Sequence, residues 1–130
     1  MSQRTIFFLQ RPGYEAAFQA ASVGITAAAM GDEVYFVFAF GALRQLLGGR
    51  FGAAVNEEER AESNRAADLG VPPPKQMLDE AKSLGAKLIA CDTTLKICGF
   101  SAADATGALD EVIGLASILR LTQGARVISL

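Results

Sequence analysis

Three mainly apolar runs, at residues 5–10, 33–40 and 86–91, are separated by segments of helical composition. Thr5-Ile6-Phe7-Phe8-Leu9-Gln10 and Glu33-Val34-Tyr35-Phe36-Val37-Phe38-Ala39-Phe40 offer β-branched and aromatic side chains to both faces of a sheet, which is the signature of fully buried strands. Their alternation with helices, β-α-β-α, makes those strands parallel. With 130 residues the chain is long enough to bury a proper core as one domain. The expected class is therefore α/β, with residues 1–130 forming a single unit.

The stretch at 14–30 is rich in alanine, ends at Gly31 and holds one charge, Glu15, so it reads as a long helix. A helix with no charged face is normally covered on more than one side, and the expected second cover is another subunit. A short helix through Leu43, Leu46 and Leu47 stops at Gly48-Gly49. Residues 50–70 then turn polar, with Asn56-Glu57-Glu58-Glu59-Arg60 at their centre, and read as an insertion that is either a solvated helix or a mobile flap. Its carboxylates are expected to face water. Pro72-Pro73-Pro74 precedes a helix at 75–84, which Gly85 ends. After the third strand, residues 94–98 suit a short helix capped by Asp92, Thr93 or Thr94 and stopped by Gly99. Between 101 and 124 the signal is mixed: Leu109, Val112, Ile113, Ala116 and Leu119 keep a helical period, yet Gly107 and Gly114 interrupt it. The period alone favours one long helix there. Residues 126–130 read as a closing strand.

The formal net charge is −2 and no run of Lys or Arg occurs, so the electrostatic footprint of a nucleic-acid binder is missing. The longest uncharged stretch, 16–31, falls short of the roughly 18 apolar residues that span a bilayer, and no stable membrane insertion is expected. No basic segment followed by an apolar stretch and a small-residue cleavage site opens the chain, which gives the expectation of a cytoplasmic protein whose two cysteines are thiols. Histidine is absent, removing Ser-His-Asp and Cys-His catalysis and His metal ligation together. No cofactor or metal is called for.

Cys91 closes the third strand where Ala86-Lys87-Leu88-Ile89-Ala90 gives way to Asp92-Thr93-Thr94. The carboxyl end of a parallel strand faces the ligand crevice, and a following helix start lowers a thiol's pKa, so a thiolate nucleophile or persulfide carrier fits the position. A small apolar residue closing a core strand fits it equally. In the strand order 2-1-3-4-5 the loop Arg11-Pro12-Gly13-Tyr14 comes up beside Cys91, where Arg11 supports an anion. Thr93 and Thr94 are capping hydroxyls by default and substrate contacts by proximity to the thiol. Cys98 lies too far along for a redox pair of adjacent spacing and is assigned to packing, with a resolving thiol as the minority role.

The stretch Ala90-Cys91-Asp92-Thr93-Thr94-Leu95-Lys96-Ile97-Cys98-Gly99-Phe100 is similar to the cysteine motif of the DsrE/DsrF-like family: alanine-cysteine, a Ser/Thr three positions on, and a glycine eight positions after the cysteine. Residues 21–43 resemble that family's first helix and second strand, in register with the motif. The resemblance implies a flavodoxin-like three-layer sandwich around a five-stranded, mainly parallel sheet. It implies a homotrimer or hexamer, and a cysteine that takes sulfane sulfur from a donor protein and passes it to an acceptor. It also splits the mixed segment into a short strand near 111–114 and a helix near 115–124. Two departures stand out: Thr94 where many members have serine, and a polar insertion at 50–70 where related chains often carry a methionine-rich flap. The site expected is Cys91 as the reactive group with Arg11, Tyr14, Thr93 and Thr94 contacting substrate. The alternative is a non-catalytic module holding a small anion or nucleotide at the same switch-point pocket through backbone N–H groups.

Overall fold

A computed structural model describes residues 3–130. Strand β1 (Arg4–Leu9) leads through helix α1 (Tyr14–Ala29) to β2 (Glu33–Phe38), followed by α2 (Phe40–Leu47), α3 (Glu57–Asp68) and α4 (Pro74–Ser83). Then come β3 (Lys87–Cys91), α5 (Asp92–Ile97), α6 (Ala102–Ala105), β4 (Glu111–Ile113), α7 (Leu115–Leu121) and β5 (Arg126–Ser129). The mixed segment is thus divided, as the family resemblance implies and against the bare period. Asp110 makes the division: its N–H donates to the Leu88 carbonyl at 2.7 Å and its carboxylate accepts from the Leu88 N–H at 2.7 Å, clamping the start of β4 to β3.

All strand pairs are parallel and the order is β4-β3-β2-β1-β5. Strand β2 pairs with β1 from Arg4↔Glu33 to Leu9↔Phe38 and with β3 from Tyr35↔Lys87 to Phe38↔Ala90. Strand β1 therefore does not lie beside β3, and the neighbourhood of Arg11 and Cys91 expected from the order 2-1-3-4-5 is not formed. The steps β1 to β4 move one way across the sheet and the step to β5 returns past all of them. With right-handed crossovers the earlier helices share one face and α7 takes the other. The reversal, and with it the topological switch point, lies between β1 and β5.

The two faces are unequally covered. Phe7, Leu9, Phe36, Phe38, Leu88 and Ala90 meet α1, α2, α4, α5 and α6 in one large core, with Phe7 stacked on Phe36 at 5.1 Å and Phe51 edge-on to Phe38 at 5.8 Å. Each such ring, fully withdrawn from water, stabilises the fold by about 1.5–3 kcal/mol. Ile6, Val37 and Ile89 point the other way and are met by Ile118 of α7, with Phe8, Tyr35, Cys91 and Ile113 half-buried around them. Helix α1 packs close to the sheet because Gly24 has no side chain: a Cβ there would stand 2.4 Å from the Phe36 ring. Its second cover is α4, with α3 beside it, all from the same chain. The absence of charge on α1 is thus accounted for within one protomer, and the subunit contact expected there is not needed to explain it.

Candidate functional site

Cys91 is the last residue of β3 and the N-cap of α5, with extended backbone angles. Its side chain is half-buried on the α7 face of the sheet. The sulfur lies by the backbone N–H of Thr94, which lowers its pKa most; burial pushes the other way, and the N–H of Thr93 and both threonine hydroxyls lower it further. The balance is downward. No side-chain cap hydrogen bond closes onto the sulfur, so the stabilisation is that of partial charges at a helix start and not of a cap. Asp92 and Lys96, 3.2 Å apart, tie the turn of α5 that carries these donors. Cys91, Thr93 and Thr94 are therefore brought together as the sequence implies.

Cys98 is the C-cap of α5 and packs against the core on the α1 side, whereas Cys91 packs on the α7 side. Both are free thiols. A separate groove of about 240 Å³ opens at the carboxyl ends of β1, β2 and β5, lined by Phe8, Leu9, Gln10, Val37, Ala39 and Ser129. It carries no charged residue, and it lies over the β1/β5 switch point.

Arg11 and Tyr14 belong elsewhere. Arg11 is exposed in the loop after β1 and, with Val55 and Asn56, borders Glu15 and Glu59, whose acidity it strengthens. Tyr14 is buried at the start of α1 with its ring 5.7 Å from Phe18; burial and then the Glu62 charge raise its pKa. Their neighbours are Glu15, Glu59 and Phe18, away from the thiol.

The residue that sequence reasoning missed is Glu59. It was expected to face water with its neighbours, and Glu57 and Glu58 do, but Glu59 is 6% exposed. One of its oxygens accepts the N–H of Tyr14 at 2.8 Å and of Val55 at 3.1 Å, and the other lies 3.4 Å from the N–H of Glu15. Burial raises its pKa, the N–H groups of Tyr14, Val55 and Glu15 and the Arg11 charge lower it, and the net effect is a lowered value. Gly13, at φ 113°, makes room: a Cβ would sit 2.6 Å from a Glu59 oxygen. The N–H of Gly13 donates to Gln45 at 2.9 Å. A signal existed in the sequence. Helix α1 begins at Gly13-Tyr14 with no Ser, Thr, Asp or Asn to accept its first N–H groups, which leaves them to water or to an acceptor from another part of the chain.

Among the described residues no group of three His, Cys, Asp or Glu side chains is placed to hold a metal ion, and no helix is long and apolar enough to cross a membrane.

No family model and no curated protein matches the chain. Solved structures do. The ychN protein from E. coli aligns over 100% of both chains with a TM-score of 0.65 at 18% identity. The protein of unknown function MTH1491 from Methanobacterium thermoautotrophicum aligns over 99% of this chain and 100% of its own, with a TM-score of 0.65 at 17% identity. The conserved protein of unknown function BT1422 from Bacteroides thetaiotaomicron gives 0.63 at 11% identity over 98% of this chain and 95% of its own. At these identities the likeness is one of fold.

Proposed function

From the YchN-like α/β fold of this chain, we propose that it is a sulfur-relay protein that carries sulfane sulfur as a persulfide on Cys91. The observation that carries this reading is the half-open thiol at the carboxyl end of β3, its pKa drawn down by the N–H groups of Thr94 and Thr93. Loading is attack of the Cys91 thiolate on the outer sulfur of a donor persulfide; a new S–S bond forms at Cys91 and the donor sulfur leaves as a thiolate. Unloading is the same step in reverse sense: an acceptor thiolate attacks the outer sulfur, the bond to Cys91 breaks, and its electron pair returns to the Cys91 sulfur. No net oxidation occurs in either step. Thr93 and Thr94 hold the thiolate. Arg11 and Tyr14 have no part in the transfer, since their contacts lie with Glu59, Glu15 and Phe18.

The second reading, a non-catalytic module that holds a small anion or nucleotide at the same switch-point pocket through backbone N–H groups, is disfavoured by Glu59 on the α1 side of that pocket. The N-terminal N–H groups of α1 that would receive a phosphate already hold a carboxylate of the same chain.

The relay reading further proposes a cytoplasmic homotrimer or hexamer working between donor and acceptor proteins, with no role for nucleic acid. The surface offered for assembly is the thinly covered α7 side, where Leu115, Leu119 and Val127 are 57%, 56% and 47% exposed.

Incubation with inorganic polysulfide, followed by alkylation and intact mass measurement, tests the carrier role. One added sulfur on the wild type, retained in Cys98→Ser and lost in Cys91→Ser, is the expected pattern. Unmodified wild type, or sulfur on Cys98 alone, overturns it.

A further inference from the structure

We propose that the cavity between α1 and α3 binds a small organic cation with an apolar body, its nitrogen held between the carboxyl groups of Glu15 and Glu62. The cavity measures about 530 Å³ and is lined by Tyr14, Glu15, Phe18, Glu62, Leu69 and Val71 among others. That volume lies within the range of about 300–1,000 Å³ usual for small-molecule sites, and the make-up is the usual one, an apolar wall with a few convergent polar groups.

Charge fixes the class of ligand. One oxygen of Glu62 is buried without a hydrogen-bond partner, an arrangement that normally has a ligand, ion or proton to account for it. Glu62 also bears on both acidic groups opposite it on α1. A shared hydrogen bond with Glu62 and then its negative charge raise Glu15, with smaller effects from burial and from Glu59 and an opposing one from Arg11; Tyr14 is raised by burial and then by Glu62. Arg65, the one cation of the lining, makes no ion pair within 4 Å with either carboxylate among the described residues. Two facing carboxyls with no cation paired to them within 4 Å repel one another, and an ammonium group between them relieves that repulsion.

The wall fixes the rest of the molecule. Tyr14 and Phe18, tilted at 5.7 Å, present ring surface beside the carboxyls, where a cation gains from the ring faces as well. Leu69, at the end of α3, is 80% exposed although it borders the cavity, and the body of a ligand would cover it. An anionic or purely polar ligand would satisfy neither feature.

The test is a titration of isotopically labelled full-length protein with phenethylammonium, followed by amide chemical shifts. Saturable shifts confined to residues 14–19 and 62–71 are expected, with the neutral analogue 2-phenylethanol and the anion 3-phenylpropionate each at least about tenfold weaker. Glu15→Gln, at an exposed position that leaves the fold alone, should weaken binding about tenfold, and Arg65→Gln should strengthen it by removing a competing cation. Affinity should rise as pH is raised through the range in which Glu15, whose pKa is raised chiefly by Glu62, ionises. Cys91→Ser should bind as the wild type does, so this result is independent of sulfur transfer. Absence of saturation by about 10 mM, equal binding of the alcohol, or unchanged affinity in Glu15→Gln overturns the proposal.

Discussion

Glu59 remains charged inside the protein because three backbone N–H groups and the nearby Arg11 replace the water it gave up. Removing it leaves those donors buried and open, at about 1–3 kcal/mol for each donor fully deprived. Glu59→Ala should therefore lower stability by about 2 kcal/mol or more, read from the urea unfolding midpoint. The pH dependence follows from the lowered folded-state pKa. Its contribution is complete above the unfolded carboxyl value of about 4.3 and disappears as pH falls through the folded value. The gap between wild type and Glu59→Gln should be constant near neutrality and close below about pH 4, and a gap that widened with acid would contradict the cap. At Cys91 the rate of alkylation against pH should show a midpoint below the free-cysteine value of about 8.5. Thr94→Val should move that midpoint part of the way back, since the hydroxyl goes and the backbone N–H stays. Arg11→Ala should leave it unchanged, because Arg11 faces Glu59 and Glu15.

At the scale of elements, α3 is joined to the start of α1 chiefly by one buried polar latch, Glu59. Glu59 is its one fully buried residue among the described residues, and its main contact is with α1. Hydrogen exchange should thus couple two regions far apart in sequence. In Glu59→Ala the amides of Tyr14, Glu15 and Val55 and those of α3 should all exchange faster, while β3 keeps its protection. Unchanged protection at Tyr14 would mean that α3 is held by other contacts. The latch also marks where the sequence stops being legible. The three apolar runs identify β1, β2 and β3, and the alanine-rich run identifies α1, since each pattern is local. Which strand is central is not local: β1, β2 and β3 are all apolar on both faces, and only pairing sets β2 between the other two. The cluster of Cys91, Thr93 and Thr94 was legible because it spans one strand end and one helix start. Glu59 was not, because its partners lie 45 and 44 residues away at Tyr14 and Glu15.

For the whole molecule the decisive property is the unequal cover of the two sheet faces. The α7 side leaves Leu115, Leu119 and Val127 in contact with water, and α7 itself is seven residues long. If assembly uses this face, Leu119→Glu should lower the mass found by light scattering, since a charge at an apolar contact must be desolvated. Ile25→Glu, by contrast, should impair folding, because Ile25 packs on the large core beneath α1. A wild-type monomer at micromolar concentration, or a Leu119→Glu variant with undiminished mass, would remove this face from consideration.

The position of β5 has a consequence for how the chain is made. Strand β1 is synthesised well before β5, yet its second edge pairs with Arg126–Ser129, so Thr5↔Arg126 joins residues 121 apart. Until β5 has been made, the apolar run from Thr5 to Phe8 has β2 on one side and an unpaired row of N–H and C=O groups on the other. An edge of that kind is a template for pairing with another nascent chain. Protein ending at residue 125 should accordingly aggregate during expression while the intact chain does not, and its yield should recover with slower synthesis or chaperone excess.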